Sequence, residues 1–168
     1  MTTSTSNTPD ATFVQTSELE FVMTRTFTAR RELVYAACTQ PQHMAHWWGP
    51  RGYTLTVCEM DVRTHGTYRF VQRAPDGNDY AFHGAYREVA PPERVVLTQI
   101  FDPYPTSELL VTLAFEDLGD GRTRLVSTMR FDSVESRDGS LSSGMEHGAR
   151  ESYDRLAEHL ETMERGML

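Results

Sequence analysis

Toward the end of the chain, apolar side chains recur at steps of three and four: Met145, Ala149, Ser152/Tyr153, Leu156, Leu160 and Met163. This spacing predicts an α-helix over residues 143–163 with one apolar stripe. Glu146, His147, Arg150, Glu151, Asp154, Arg155, Glu158 and His159 fill the other face. Glu146/Arg150 and Glu151/Arg155 are i,i+4 pairs, each worth about 0.2–0.5 kcal/mol. Ser143 and Glu146 have the spacing of a capping box, and Gly166 is placed to end the helix. Such a helix is marginal alone in water, so its stripe needs cover from upstream.

Upstream the period changes. Residues 18–27 alternate, with Leu19, Phe21, Met23 and Phe27 on one side, which predicts a half-buried strand. Thr28 is placed to cap a short helix over 29–38, carried by Leu33, Val34, Ala37 and Cys38. A second short helix begins at Thr39 and Pro41, runs through His46-Trp47-Trp48, and is stopped by Gly49-Pro50. Six strands follow, at about 53–63, 67–73, 80–89, 94–101, 108–116 and 123–131. Their connections are too short for parallel crossovers, so they form an antiparallel meander. Residues 132–142 read as a polar loop. The expected fold class is α+β: a curved antiparallel sheet of about seven strands around a long C-terminal helix, with two short helices between strands one and two.

The chain has 168 residues, enough for one domain with a substantial core. Residues 1–16 read as a mostly flexible Thr/Ser-rich tail, extending the first strand around 13–15, and 17–168 as the domain. A net charge of −8 argues against nucleic acid and anionic membrane as partners. No secretory signal or spanning apolar run is seen, and Cys38 and Cys58 form no CxxC, so a cytoplasmic protein with reduced thiols is expected.

Phosphate loops, dinucleotide fingerprints, GxSxG and HExxH are all missing, and no cofactor is expected. His43 and His46 have i,i+3 spacing without an identifiable third ligand, so no metal site is expected. Ser143 and His147 share a helix face, as capping serines and later residues commonly do. The aromatic supply points further. Trp47, Trp48, Tyr68, Phe70, Phe82 and Tyr86, with Met129, Met145 and Tyr153, lie on the elements that should surround the space between helix and sheet. Gly148 and Ser152 lie in or beside the helix stripe, where they leave room either for close sheet contact or for a ligand. Tyr153 OH and the Trp indole N–H are the expected orienting donors. His65, His83 and Glu59 are the polar candidates. Arg69 is solvent-facing if Tyr68 and Phe70 point inward, and buried if the parity is reversed.

The stretches at 29–54, 59–70, 75–98 and 144–161 resemble bacterial relatives of the C-terminal domain of the activator of Hsp90 ATPase, within the START-like, Bet v 1-like superfamily. The WWGP at 47–50 and G-x-Y-R-E-x-x-P-P-E-R at 84–94 are the most specific parts. The turn Thr64-His65-Gly66 departs from the usual Pro-Gly-Gly and leaves one glycine to take a positive φ. The resemblance implies a helix-grip fold and leaves function open, because this scaffold hosts carriers, sensors and enzymes. The leading expectation is binding of a small, largely apolar or aromatic molecule between helix and sheet, by a monomer or homodimer. The alternative is a cyclase, dehydratase or hydrolase using His65, His83, Glu59 or Asp61. An Hsp90-type interaction module ranks last.

Overall fold

The computed structural model describes residues 11–166. Eight strands form one sheet: β1 (Ala11–Gln15), β2 (Glu20–Phe27), β3 (Thr54–Met60), β4 (Thr67–Arg73), β5 (Asp79–Ala90), β6 (Arg94–Phe101), β7 (Glu108–Gly119) and β8 (Arg122–Arg130). Four helices complete it: α1 (Arg31–Thr39), α2 (Pro41–Trp47), α3 (Val134–Ser142) and α4 (Met145–Gly166). The strand order is β1-β2-β8-β7-β6-β5-β4-β3, with every neighbouring pair antiparallel. The result is a curved open sheet gripping α4, an α+β helix-grip fold. The first ten residues of the expected tail lie outside the described residues, while Ala11–Gln15 pair with β2 as an eighth strand.

Only β2 to β8 is a non-sequential pairing, and it decides the architecture. The chain leaves β2 beside β8 and re-enters the sheet at β3 on the far edge. The α1–α2 pair makes that crossing over the inner face, packing on β3, β7, β8 and α4. Thr123, fully buried, donates to the Ala29 carbonyl at 2.7 Å and ties the start of the crossing to β8. Trp47 Nε1 donates to the Ala37 carbonyl at 2.9 Å and ties α2 to α1.

Cross-strand register places Met23, Leu125, Phe115 and Phe27 on the inner face, all 2% exposed or less; Leu125, Phe115 and Phe27 share a core with Leu156 and Leu160 of α4, while Met23 packs with Phe21, Met129 and Phe131. Tyr68 pairs with Gly84 and crosses it to donate to the Thr98 carbonyl at 2.6 Å. A Cβ on Gly84 would sit 1.9 Å from that carbonyl oxygen and 2.8 Å from the Tyr68 ring, so only glycine lets the sheet fold this tightly here.

Several local expectations are corrected. Residues 134–142 are a helix, α3, not a loop, capped by Ser133 Oγ accepting from the Ser136 N–H. Ser143 ends α3, and its hydroxyl donates to the Ser140 carbonyl, so no capping box opens α4. Arg30 rather than Thr28 stands at the N-cap of α1, without a side-chain cap bond. In the 64–66 turn it is His65, at φ 73°, that takes the left-handed conformation; Gly66 does not.

Candidate functional site

The inner face is not evenly covered. Around β2 and β8 it is closed by α4. Across β5, β6 and β7 the inner positions Phe82, Leu97, Phe101, Leu109, Val111 and Leu113 are all only half-buried. These apolar side chains keep partial contact with solvent on the concave face, forming a half-covered apolar strip, the trough, beside the helix. Phe82 and Phe101 stack with centroids 4.9 Å apart and planes at 28°. Trp48 stands against Phe82 and Phe70 at 5.2 and 5.0 Å, joining the trough to the buried rings of Tyr68 and Phe70. At the other end Tyr104, 66% exposed, lies 5.8 Å from Phe101.

Trp48 is placed by the loop that follows α2. Ser152, buried on α4, accepts from the Gly49 N–H at 3.1 Å and donates to the Trp47 carbonyl at 3.2 Å. Arg155 donates to the carbonyls of His46, Gly49, Pro50 and Tyr53. Its desolvation beside Arg51 lowers its pKa. Arg51 in turn grips Glu158 through two N–H groups. Gly49 has φ +106°, a conformation that selects glycine, and a Cβ there would also have to displace the Gln72 side-chain end, whose Oε1 would lie 2.5 Å away.

The expected site residues therefore separate into groups. Trp48 and Phe82 line the trough directly. Trp47, Tyr68, Phe70, Tyr86 and Met129 are buried in the surrounding core. Met145 packs against the Phe21/Met129 cluster, as Leu109 also does. Ser152 is spent on the loop, and a Cβ on Gly148 would meet Pro50 Cγ at 3.4 Å, so both positions dock the loop on the helix. Tyr153 is bonded through its hydroxyl to Ser127, and burial raises its pKa. Of the expected orienting donors, only the Trp48 indole N–H lacks a protein acceptor among the described residues.

The polar candidates do not converge on the inner face. Glu59, Arg69 and His83 share the outer face by cross-strand register, and Arg69 is exposed, settling its direction. His83 Nδ1 lies 2.6 Å from Asp102, which Arg69 also contacts at 3.1 Å; both partners hold the Asp102 carboxyl below its usual pKa. His65 is exposed in its turn. Asp61 is exposed and paired with Arg63. His147 faces Glu151 rather than Ser143.

Two features were invisible in the sequence. Tyr35, off the apolar stripe of α1, packs on Phe115 at 5.2 Å with its hydroxyl buried and unpartnered. His159 completes a contact with His43 and His46, which the linear spacing could not bring together. Among the described residues no group of three or more His, Cys, Asp or Glu is arranged to hold a metal ion. Nor is any helix of the described residues long and apolar enough to cross a membrane.

Residues 28–161 match the family model described as Activator of Hsp90 ATPase homolog 1-like protein. No curated protein matches the chain. Among solved structures, a protein from Rhodobacter sphaeroides aligns at TM-score 0.82 and 26% identity over 90% of this chain and 98% of its own. One from Chromobacterium violaceum aligns at TM-score 0.72 and 28% identity, covering 83% of this chain and 95% of its own. A protein from Arthrobacter aurescens, at 21% identity, TM-score 0.82 and coverages of 92% and 93%, shares the fold.

Proposed function

The chain belongs to the activator of Hsp90 ATPase homolog 1-like family, and from that premise we propose that it binds a small, largely apolar or aromatic molecule in the trough between α4 and strands β5–β7. The fold supports ligand binding in general. The observation that carries the reading is the half-buried apolar lining of Phe82, Leu97, Phe101, Leu109, Val111 and Leu113. Leaving an inner face wet forgoes about 25 cal/mol for every Å² that could have been covered. A bound apolar molecule recovers that term. The Trp48 indole N–H supplies one directional contact at the trough wall. The reading takes 17–168 as one binding domain acting without a cofactor.

Paired native and denaturing mass measurements on freshly purified protein test it. An additional mass of a few hundred daltons, lost on denaturation, is the expected result. A second test uses 1-anilinonaphthalene-8-sulfonate with the substitution Val111→Trp, which plugs the trough. The plug should abolish probe binding and leave stability within about 1 kcal/mol, whereas overpacking a filled core costs about 1–3 kcal/mol. A Val111→Trp protein that is strongly destabilised, or that binds the probe unchanged, overturns the reading.

A further inference from the structure

Three of the six histidines meet where α2 runs beside α4. His43 Nδ1 and His159 Nε2 are 3.0 Å apart. His46 lies flat on the His159 ring, with centroids 4.7 Å apart and planes at 12°. The 3.0 Å contact needs a hydrogen on one nitrogen and a lone pair on the other. It survives one added proton, placed on an outer nitrogen, and is broken by a second.

The charged groups around the cluster give little help to an imidazolium. Arg51 faces it from the loop, and Arg155 and Glu158 from α4, where they line a cleft of about 230 Å³ with His46, His159 and Thr162. Glu158 is held by both nitrogens of Arg51. Farther along α4, Glu151 is bonded by the Arg51 N–H and Asp154 is paired with Arg25. A positive charge on His159 therefore shares the cleft with two guanidiniums and with a Glu158 carboxylate that Arg51 already holds. Burial and the two neighbouring imidazoles hold the His159 pKa down to about 4, and burial with the adjacent His46 lowers that of His43. The open cleft gives protons access.

The cluster joins the same two elements that position Trp48. The α2 helix carries His43 and His46, and the residue after it is Trp48, standing on Phe70 and Phe82. Ser152 and Arg155 grip the loop and the last carbonyls of α2, those of Trp47 and His46, while the imidazole contacts join His43 and His46 to His159 of α4.

We propose that His43 and His159, with His46 stacked on the His159 ring, form an acid-sensitive latch: protonation of the His43–His159 pair loosens α2 from α4 and shifts Trp48 against the aromatic trough. The consequence for a ligand rests on the binding reading above; the latch does not, and its test needs no ligand.

The test follows tryptophan emission and the indole N–H resonance of Trp48, identified with Trp48→Phe, as the full chain is titrated from neutral pH to below about 4. Far-UV circular dichroism is followed in parallel. The expected result is a reversible tryptophan change between about pH 6.5 and 4, with the sheet signal retained. In His43→Gln and His159→Gln the change should vanish or move by about one pH unit or more. An unchanged Trp48 environment across that window overturns the latch. So does a transition that persists unaltered in both variants, or one that coincides with loss of the far-UV signal. If His159→Gln fails to fold, His43→Gln decides alone.

Discussion

Replacing Ser152 by Ala would measure what the loop carrying Trp48 costs to hold. The hydroxyl, on a residue 7% exposed, serves the Gly49 N–H and the Trp47 carbonyl at once. Removal leaves the buried Gly49 N–H without a partner, a penalty of about 1–3 kcal/mol. Alanine is the better helix former, returning up to about 0.7 kcal/mol. The balance is a destabilisation of about 1.5 kcal/mol, which lowers Tm by about 3–6 °C for a domain of this size. Urea unfolding should show a lower midpoint at unchanged slope, since the surface exposed on unfolding is the same. Ser142→Ala, at the exposed end of α3, should stay within about 0.5 kcal/mol of the parent. Tryptophan emission in the folded Ser152→Ala protein should shift to the red as the loop loosens. A variant as stable as the parent would refute the reasoning, because it would mean that water already serves the Gly49 N–H and that the loop needs no staple from α4.

Further outcomes are expected. Leu156→Ala, at a site with 0% exposure, should cost about 2–5 kcal/mol, while Phe101→Ala in the half-open trough should cost less than about 2 kcal/mol and weaken probe binding; equal losses by urea titration would contradict an open trough. Burial pushes the Cys38 thiol up to about 12 and Cys58 up to about 11, so neither should react with a thiol reagent in the native protein at neutral pH, and both should react after denaturation; rapid native labelling would show that the burial is breached. With the folded His159 pKa depressed to about 4 from 6.5, the unfolded chain takes up a proton first. Stability is therefore full above about pH 6.5 and falls as pH drops through about 4. The whole shift corresponds to about 3 kcal/mol, reduced to about 1–2 by solvent around a ring that is only half-buried. His159→Gln should flatten that slope in denaturant titrations, and an equally steep slope would remove His159 as its source.

The strands and long helix were legible because their signals are local. Alternation over 18–27 and the three-four spacing around Leu156 and Leu160 each state which side of an element is apolar, and burial followed those sides. Short Gly, Pro and Asp turns between β3 and β8 dictated antiparallel neighbours for the same reason. The α3 helix was missed because its side chains bury nothing: none of its residues is buried, and no apolar stripe marks it. β1 was underestimated because five residues carry little periodicity; pairing with β2 is what makes them a strand.

The site was legible only in part. Sequence alone determined that Trp48 and Phe82 would belong to elements around the helix. It could not say which aromatics remain near solvent, because that depends on how far α4 covers a curved sheet. Parity left Arg69 open until cross-strand register with His83 placed both outward. Ser152 and Gly148 occupied the expected stripe, yet their roles were decided by the Gly49-Pro50 loop, more than ninety residues earlier, meeting that side of α4. The meeting of His159 with His43 and His46 likewise spans 116 residues from His43. Local spacing specifies which elements form and which side they bury; pairings across the chain, set by one non-sequential strand contact and the helical crossing it demands, decide which side chains share a site.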